Sequence, residues 1–288
     1  MDTDRRAYPA GCLERLQEVE RDLLKTFDGI CREQGLSYFA DGGTLLGAIR
    51  HGGFIPWDDD VDVCMPLEDY ERFLQIASSC LPEGYAINTV DNNPEQAILS
   101  AKLIKEHTLF YTGELDGSNE REGIFMDIFP LVRLDSSPRK AQRQIKSILG
   151  LQRMSYLRHV AQPRVGANTP LRPLVMLGCR AVHATVAQIW TSQQLMEKAL
   201  RVIHEGDEQG EWTSLPYPSF GQFADAELFP CQDRPFDELT ISCPRDIHSY
   251  LTKEYGFYME LPPESERYTH LPVALDFGDG VNVMESKQ

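Results

Sequence analysis

The stretch Leu36-Ser37-Tyr38-Phe39-Ala40-Asp41-Gly42-Gly43-Thr44-Leu45-Leu46-Gly47-Ala48-Ile49-Arg50 reads as a short strand, a glycine turn and the start of a helix. After a loop holding Gly52, Gly53 and Pro56, Val61-Asp62-Val63-Cys64-Met65 alternates as a strand that stops at Pro66, and a helix over 68–80 follows. Further strands are expected over 85–90, 99–104 and 123–129, the last closed by Pro130. On the N-terminal side Leu13, Leu16, Val19, Leu23, Leu24, Phe27 and Ile30 recur at helical spacing ahead of Gly35, which predicts an amphipathic helix over 13–31. The expected class is α/β of the α+β kind, a mixed sheet flanked by helices.

The character changes between 136 and 205. Two helical stretches flank a Pro/Gly-containing break over 163–173, and Lys plus Arg number 11 against 2 acids, although the whole chain carries a formal charge of −16. The final segment returns to mixed structure, with a strand over 238–242, a helix over 244–255 and an irregular, proline-rich tail. The expected organisation is a catalytic core over 1–135, a basic helical region over 136–205, and a part over 206–288 that completes the catalytic domain.

Composition excludes several classes. With 42% hydrophobic and 25% charged residues in 288, the chain has enough apolar material for a globular core. Its negative potential argues against a nucleic-acid partner. The polar start, Met1 to Gly11, is unlike a secretory signal, so a cytoplasmic location is expected. Seven cysteines without a C-x-x-C pair point to reduced, mostly buried thiols instead of a disulfide framework or a zinc site. The most apolar stretch, 174–190, is interrupted by Arg180 and His183, so a buried or interfacial helix is expected there and not a membrane span.

The chemistry centres on Asp58, Asp59, Asp60 and Asp62. Alternation along a strand would put Asp58, Asp60 and Asp62 on one face, with Val61, Val63 and Met65 on the other. Carboxylates set side by side repel, and a divalent cation removes the repulsion; an all-oxygen set suits magnesium or manganese, whose remaining ligands are water and substrate phosphates. A solvated acidic loop is the bland alternative for the run taken alone. An EF-hand is excluded, because the sixth loop position would be Val63 and the twelfth Asp69. Gly42, Gly43 and Thr44 open a helix and offer an anion site, with Thr44 able to cap. Asp127, in the apolar run Ile124 to Pro130, is the best candidate to complete the acidic site, since burying an unpaired charge there is costly. Lys102 and Arg50 can neutralise phosphate oxygens, and each reads equally well as a surface charge. Trp57, Tyr111 and Tyr258 suit either a quaternary-ammonium cage or core packing.

The run from Asp41 through Asp62 resembles the signature of LicD-family phosphotransferases. The likeness continues through Lys102 and Thr108, Met126-Asp127-Ile128-Phe129-Pro130, Leu251 to Gly256, and Leu261 to His270, so that it spans about 13–270. The resemblance implies a nucleotidyltransferase-like fold related to polymerase β, with 136–205 as a helical insertion. It implies transfer of a phospho-alcohol such as phosphocholine from a CDP-activated donor to a hydroxyl of a cell-envelope glycan (teichoic acid, lipopolysaccharide or capsule), releasing CMP. Fukutin and fukutin-related protein, which transfer ribitol phosphate, are distant relatives; the zinc finger of the latter has no counterpart here. Carried over, Asp60 and Asp62 match the paired metal carboxylates and Asp127 the third, with Asp58 as an outer or alternate ligand. Gly42, Gly43 and Thr44 match the donor-phosphate turn, and Arg267 and His270 match the tail motif, with donor or acceptor contact as their expected role.

The mechanism implied has Mg2+ or Mn2+ bridging the donor diphosphate, Lys102 or Arg50 offsetting charge, and Asp127 orienting or deprotonating the acceptor. Two rivals stand beside it: a nucleotidyltransferase that consumes a nucleoside triphosphate and releases pyrophosphate, and a non-catalytic nucleotide-binding protein. The basic region suggests a peripheral contact with the inner face of the membrane or with a lipid-linked glycan, packing against the acidic remainder of the chain being the alternative.

Overall fold

The computed structural model describes residues 7–113, 123–160, 163, 169–204 and 209–285. Residues 164–168 of the expected break in the basic region, and Glu205, lie outside these residues.

The chain begins with α1 (Cys12–Gln34), which buries Leu16, Leu23, Leu24 and Phe27 and ends on Gly35 in the left-handed region (φ +64°), where only glycine is unstrained. Then come β1 (Phe39–Ala40), α2 (Gly42–Arg50), β2 (Asp62–Pro66), α3 (Leu67–Cys80), β3 (Tyr85–Thr89), β4 (Ala101–Lys105), β5 (Leu109–Tyr111) and β6 (Phe125–Arg133). The basic region supplies α4 (Pro138–His159), α5 (Arg172–Ala184) and α6 (Ser192–His204). The chain closes with β7 (Trp212–Ser214), α7 (Asp225–Leu228), β8 (Gln232–Phe236), β9 (Leu239–Cys243), α8 (Ile247–Tyr255) and β10 (Ala274–Asp276).

The main sheet is mixed, in the order β1-β2-β6-β4-β3, with β7 extending beside β6. Only β2 and β6 run parallel; the other pairs are antiparallel. Register places Asp62 opposite Asp127, and Asp127 opposite Lys102, so three polar residues form a row across β2, β6 and β4 on one face. Two ribbons, β5–β10 and β8–β9, complete the β structure.

Several expectations need correction. The strand bearing the acidic run starts only at Asp62, so alternation does not align Asp58 and Asp60; Pro56 and the Asp58 N–H bond to the Ile55 carbonyl turn the chain before it. The helix begins at Gly42, two residues before Thr44, and Asp41 is its cap. Pro130 does not close its strand: β6 continues to Arg133, because Pro130 falls where the ladder passes from β4, paired over 125–128, to β7, paired over 131–133, so its missing N–H is not needed. The tail contributes β10 and so is not wholly irregular, and α5 has no buried residue. No helix among the described residues is long and apolar enough to cross a membrane. The described cysteines are all free thiols.

Two apolar clusters hold the elements. The larger joins α1, the sheet, α3 and the segments after β7, running from Cys12 to Leu275; the smaller joins Val132 and Leu215 to Ile148, Leu195 and Ala199 of the helical region. Phe27 is central to the first: it is fully buried and meets Tyr38 and Phe73 edge-on at ring separations of 5.0 and 5.1 Å. Phe27→Ala should lower unfolding stability by about 3–5 kcal/mol in urea denaturation, without altering the surface.

Candidate active site

Loop 55–62, the start of α2, α8 and the segment 257–270 enclose a cleft of about 480 Å³. Its floor is acidic and its walls are aromatic.

The start of α2 is fixed first. Asp41 Oδ1 accepts from the Gly42 N–H (2.8 Å) and the Tyr250 hydroxyl (2.5 Å), and Oδ2 accepts from the Cys64 thiol (3.1 Å). The Thr44 hydroxyl accepts from the Asp62 N–H at 2.9 Å, so it anchors the acidic strand to α2 and does not cap the helix. The two glycines are there because carboxylates come so close. A Cβ on Gly42 (φ +51°) would stand 3.3 Å from Asp62 Oδ2, and one on Gly43 only 2.4 Å from Asp58 Oδ2. The positive end of α2 thus faces Asp58 and Asp62.

Asp58, Asp60 and Asp62 all line the cleft. Burial, then the Asp60 charge, pushes the Asp58 carboxyl up to about 8. Burial also raises Asp60 against the pull of His270. Burial followed by Asp60 and Asp127 drives Asp62 well above the carboxylate range. This is the electrostatic signature of carboxylates assembled without enough positive charge.

Asp59 behaves differently. Its Oδ1 accepts from the His270 N–H (2.9 Å) and lies 3.3 Å from His270 Nδ1, while Oδ2 accepts from the Tyr8 hydroxyl (2.6 Å) and the Leu271 N–H (2.9 Å). Burial alone would raise its pKa, and the hydrogen bonds from His270 and Tyr8 hold it below the ordinary value. Asp59, Asp60 and His270 bring ligand atoms within 4.8 Å of one another and are a candidate metal group. Both Asp59 oxygens are nevertheless already engaged, which suits a clamp better than a ligand. Burial lowers the His270 pKa, but the Asp59 hydrogen bond and the Asp60 charge outweigh it and push the imidazole to about 9, so His270 carries a proton at neutral pH. Its Nδ1 is 3.4 Å from Asp60 Oδ2.

Of the other expected residues, Gly42, Gly43, Arg50, Arg267 and His270 line the cleft, whereas Thr44, Lys102 and Asp127 do not. Arg50 donates to the backbone carbonyls of Tyr258 and Glu260 at 2.8 and 3.2 Å, tying the 257–270 segment to α2. The Arg267 guanidinium lies 4.2 Å from the Trp57 ring centroid, and Lys102 Nζ 3.5 Å from that of Phe125. Trp57 and Tyr258 line the cleft, and Tyr111 sits in β5.

Sequence reasoning missed Asp59 as the clamp, and also Glu254, Tyr217 and the aromatics Phe220, Tyr255 and Phe257 on the walls. The density of aromatic residues over 255–258 was the only signal, and nothing in the sequence tied it to the acidic run. Glu254 Oε2 is buried without a hydrogen-bond partner, and burial with the nearby Asp41 raises its pKa to about 9.

Fold and site together define a mixed α/β protein with a carboxylate cluster opening on an aromatic cleft. Comparison with known proteins then shows what the chain is similar to. Residues 35–164 match the model for the LicD/FKTN/FKRP nucleotidyltransferase domain. Over 275 residues, 90% of this chain and 95% of the other, the protein is 27% identical to the lipopolysaccharide cholinephosphotransferase LicD of Haemophilus influenzae. It is 44% identical to the human ribitol 5-phosphate transferase FKRP over 66 residues, which is 23% of this chain and 12% of that one. Residues 35–164 carry a LicD-family domain, and the likeness to the Haemophilus protein extends over nearly the whole chain.

Gly43→Ala should cost about 1–3 kcal/mol through overpacking against Asp58, readable by denaturant unfolding. A pH effect is also expected. Asp58, Glu254 and His270, with ordinary values of 3.8, 4.5 and 6.5, rise in the folded chain to about 8, 9 and 9. Each therefore binds its proton more tightly folded than unfolded, so stability falls as pH rises through these windows. In EDTA the melting temperature should drop steadily from about pH 6 to pH 9, and Glu254→Gln should flatten the curve by scanning fluorimetry.

Proposed function

We propose that this protein transfers a phospho-alcohol group from a CDP-activated donor to a hydroxyl of a cell-envelope glycan, with release of CMP. The observation that carries the reading is the convergence of Asp58, Asp60 and Asp62 on one cleft, with carboxyls held above their ordinary pKa. Such a set suits Mg2+ or Mn2+: its donors are all oxygen, and it is short of positive charge. Asp60 and Asp62 are the assigned ligands. Asp127, facing Asp62 across the parallel pair, is the third, and Asp58 is an outer or alternate one. When bound, the cation supplies charge neutralisation at the donor diphosphate. Kinship with a cholinephosphotransferase and a ribitol 5-phosphate transferase supports a phospho-alcohol donor and a glycan acceptor.

The chain's own residues do the rest by position. Arg267, held over Trp57, and the protonated His270 present positive charge to the donor phosphates at the cleft mouth. Asp59 keeps His270 in place through its side chain and its N–H. Arg50 acts mainly through the backbone it ties down. Lys102, in register with Asp127, offsets charge at the third carboxylate. The acceptor hydroxyl attacks the distal phosphorus, its proton passes to a carboxylate oxygen of the cluster, and the bond from that phosphorus to the CMP oxygen breaks. In the loose transition state of phosphoryl transfer, positioning and charge carry most of the effect. Gly42, Gly43 and Thr44 serve the donor phosphates indirectly on this reading, by bringing Asp58 and Asp62 up to α2.

The mixed sheet with Asp62 and Asp127 on parallel neighbours also supports a nucleotidyltransferase-like core. We assign 1–135 and 206–288 to that core, since both feed the larger apolar cluster, and 136–205 to an insertion.

The test is CMP release from CDP-choline, CDP-ribitol, CDP-glycerol and CDP-ethanolamine, with magnesium or EDTA. Release from one donor that needs magnesium and falls at least about a hundredfold in Asp60→Asn is expected. Pyrophosphate from a nucleoside triphosphate, with no CMP from any donor, would replace this reading by nucleotidyl transfer.

A further inference from the structure

Helix α5 is amphipathic with its apolar side outward. Met176, Cys179 and His183, spaced i, i+3 and i+7, form the half-buried side, and His183 Nδ1 lies 2.8 Å from the Leu157 carbonyl of α4. Leu174, Leu177 and Ala181 fall on the opposite side, where both leucines are 63% exposed. A surface helix ordinarily turns polar residues outward, and adjoining exposed leucines mark a contact surface.

Helix α4, packed against α5, carries the second feature. Arg139, Arg143, Lys146 and Arg153 are spaced i, i+4, i+7 and i+14 and are all exposed, opposite the buried Ile145, Ile148 and Gln152. They form a basic stripe roughly 20 Å long at 1.5 Å per residue. None of the four has an ion-pair partner among the described residues. The segment 136–205 holds 11 basic and 2 acidic residues in a chain of net charge −16, so an anionic surface attracts this part and repels the rest.

We propose that α4 and α5 form a docking surface for an anionic phospholipid bilayer, with Leu174 and Leu177 entering the acyl boundary and the α4 stripe meeting the headgroups. At 13 residues α5 is about 20 Å long, too short for a hydrocarbon core of about 30 Å, which suits a helix lying in the interface plane. A symmetric pairing of two copies through this surface would set one basic stripe against another, and the charge disfavours it. The proposal does not rest on the transferase reading.

Flotation of the whole protein with vesicles of phosphatidylcholine alone, or with equal parts of phosphatidylglycerol, tests it. Binding to the mixed vesicles only, weakened by salt, is expected. Leu174→Ser with Leu177→Ser should reduce partitioning about tenfold. Arg143→Glu with Lys146→Glu and Arg153→Glu should reduce it on the order of a hundredfold, at roughly fivefold or more per charge. Circular dichroism melting should be unchanged in both variants, since every substituted side chain is exposed. Binding that ignores phosphatidylglycerol content, or that survives in both variants, would overturn the proposal. So would a dimer in sedimentation velocity that the leucine variant abolishes while vesicles capture nothing, which would assign the surface to a second copy.

Discussion

The crowding of carboxylates against the start of α2 is the constraint around which the rest of the site is built. Four aspartates, Asp41, Asp58, Asp60 and Asp62, reach one cleft, and the chain tolerates this by sparing side chains and supplying dipoles. Gly42 and Gly43 leave room for Asp62 and Asp58, and the positive end of α2 faces them. Asp41 spends its oxygens on capping, on Tyr250 and on Cys64, so it stiffens α2 while its charge adds to the acidity around Asp62 and Glu254. Burial, with residual repulsion added to it, raises the carboxyl pKa values, which is the condition under which a divalent cation binds a protein site with gain.

A second constraint joins distant parts of the chain. Asp59, almost wholly buried, takes hydrogen bonds from Tyr8 near the N-terminus and from the backbone at 270 and 271. Arg50 donates in turn to the carbonyls at 258 and 260. The aromatic walls of the cleft therefore stand on polar anchors set within the acidic loop and α2. Positioning and charge come from one set of contacts, which suits a reaction in which the protein contributes little covalent work.

Much of this was legible in the chain. The 3.6-residue spacing of α1, the strand–turn–helix order around Gly42 and the period of β2 identify the elements, because side-chain burial there follows local periodicity. Asp62, Asp60 and Asp58 stand out by composition, and Asp127 by being an acid in an apolar strand. Sequence is silent where a residue's role depends on what arrives from elsewhere in the chain. Alternation does not carry back to Asp58 and Asp60, which lie in a loop, and Pro130 is not a stop, because the edge of its strand changes partner there.

The sequence by itself determined the elements, the acidic run, the glycines that make room for it and the uneven charge of the helical region, because each depends on neighbours within a few residues. Only the tertiary structure decided which aspartate is a clamp and which face the cleft, that Thr44 and Arg50 hold backbone, and that aromatics near 255 wall a site begun at 41. Most of those outcomes depend on contacts across more than 200 residues, such as His270 with Asp59 and Arg50 with Tyr258, and hydrogen-bond saturation of a carboxylate is visible only once its partners are in place.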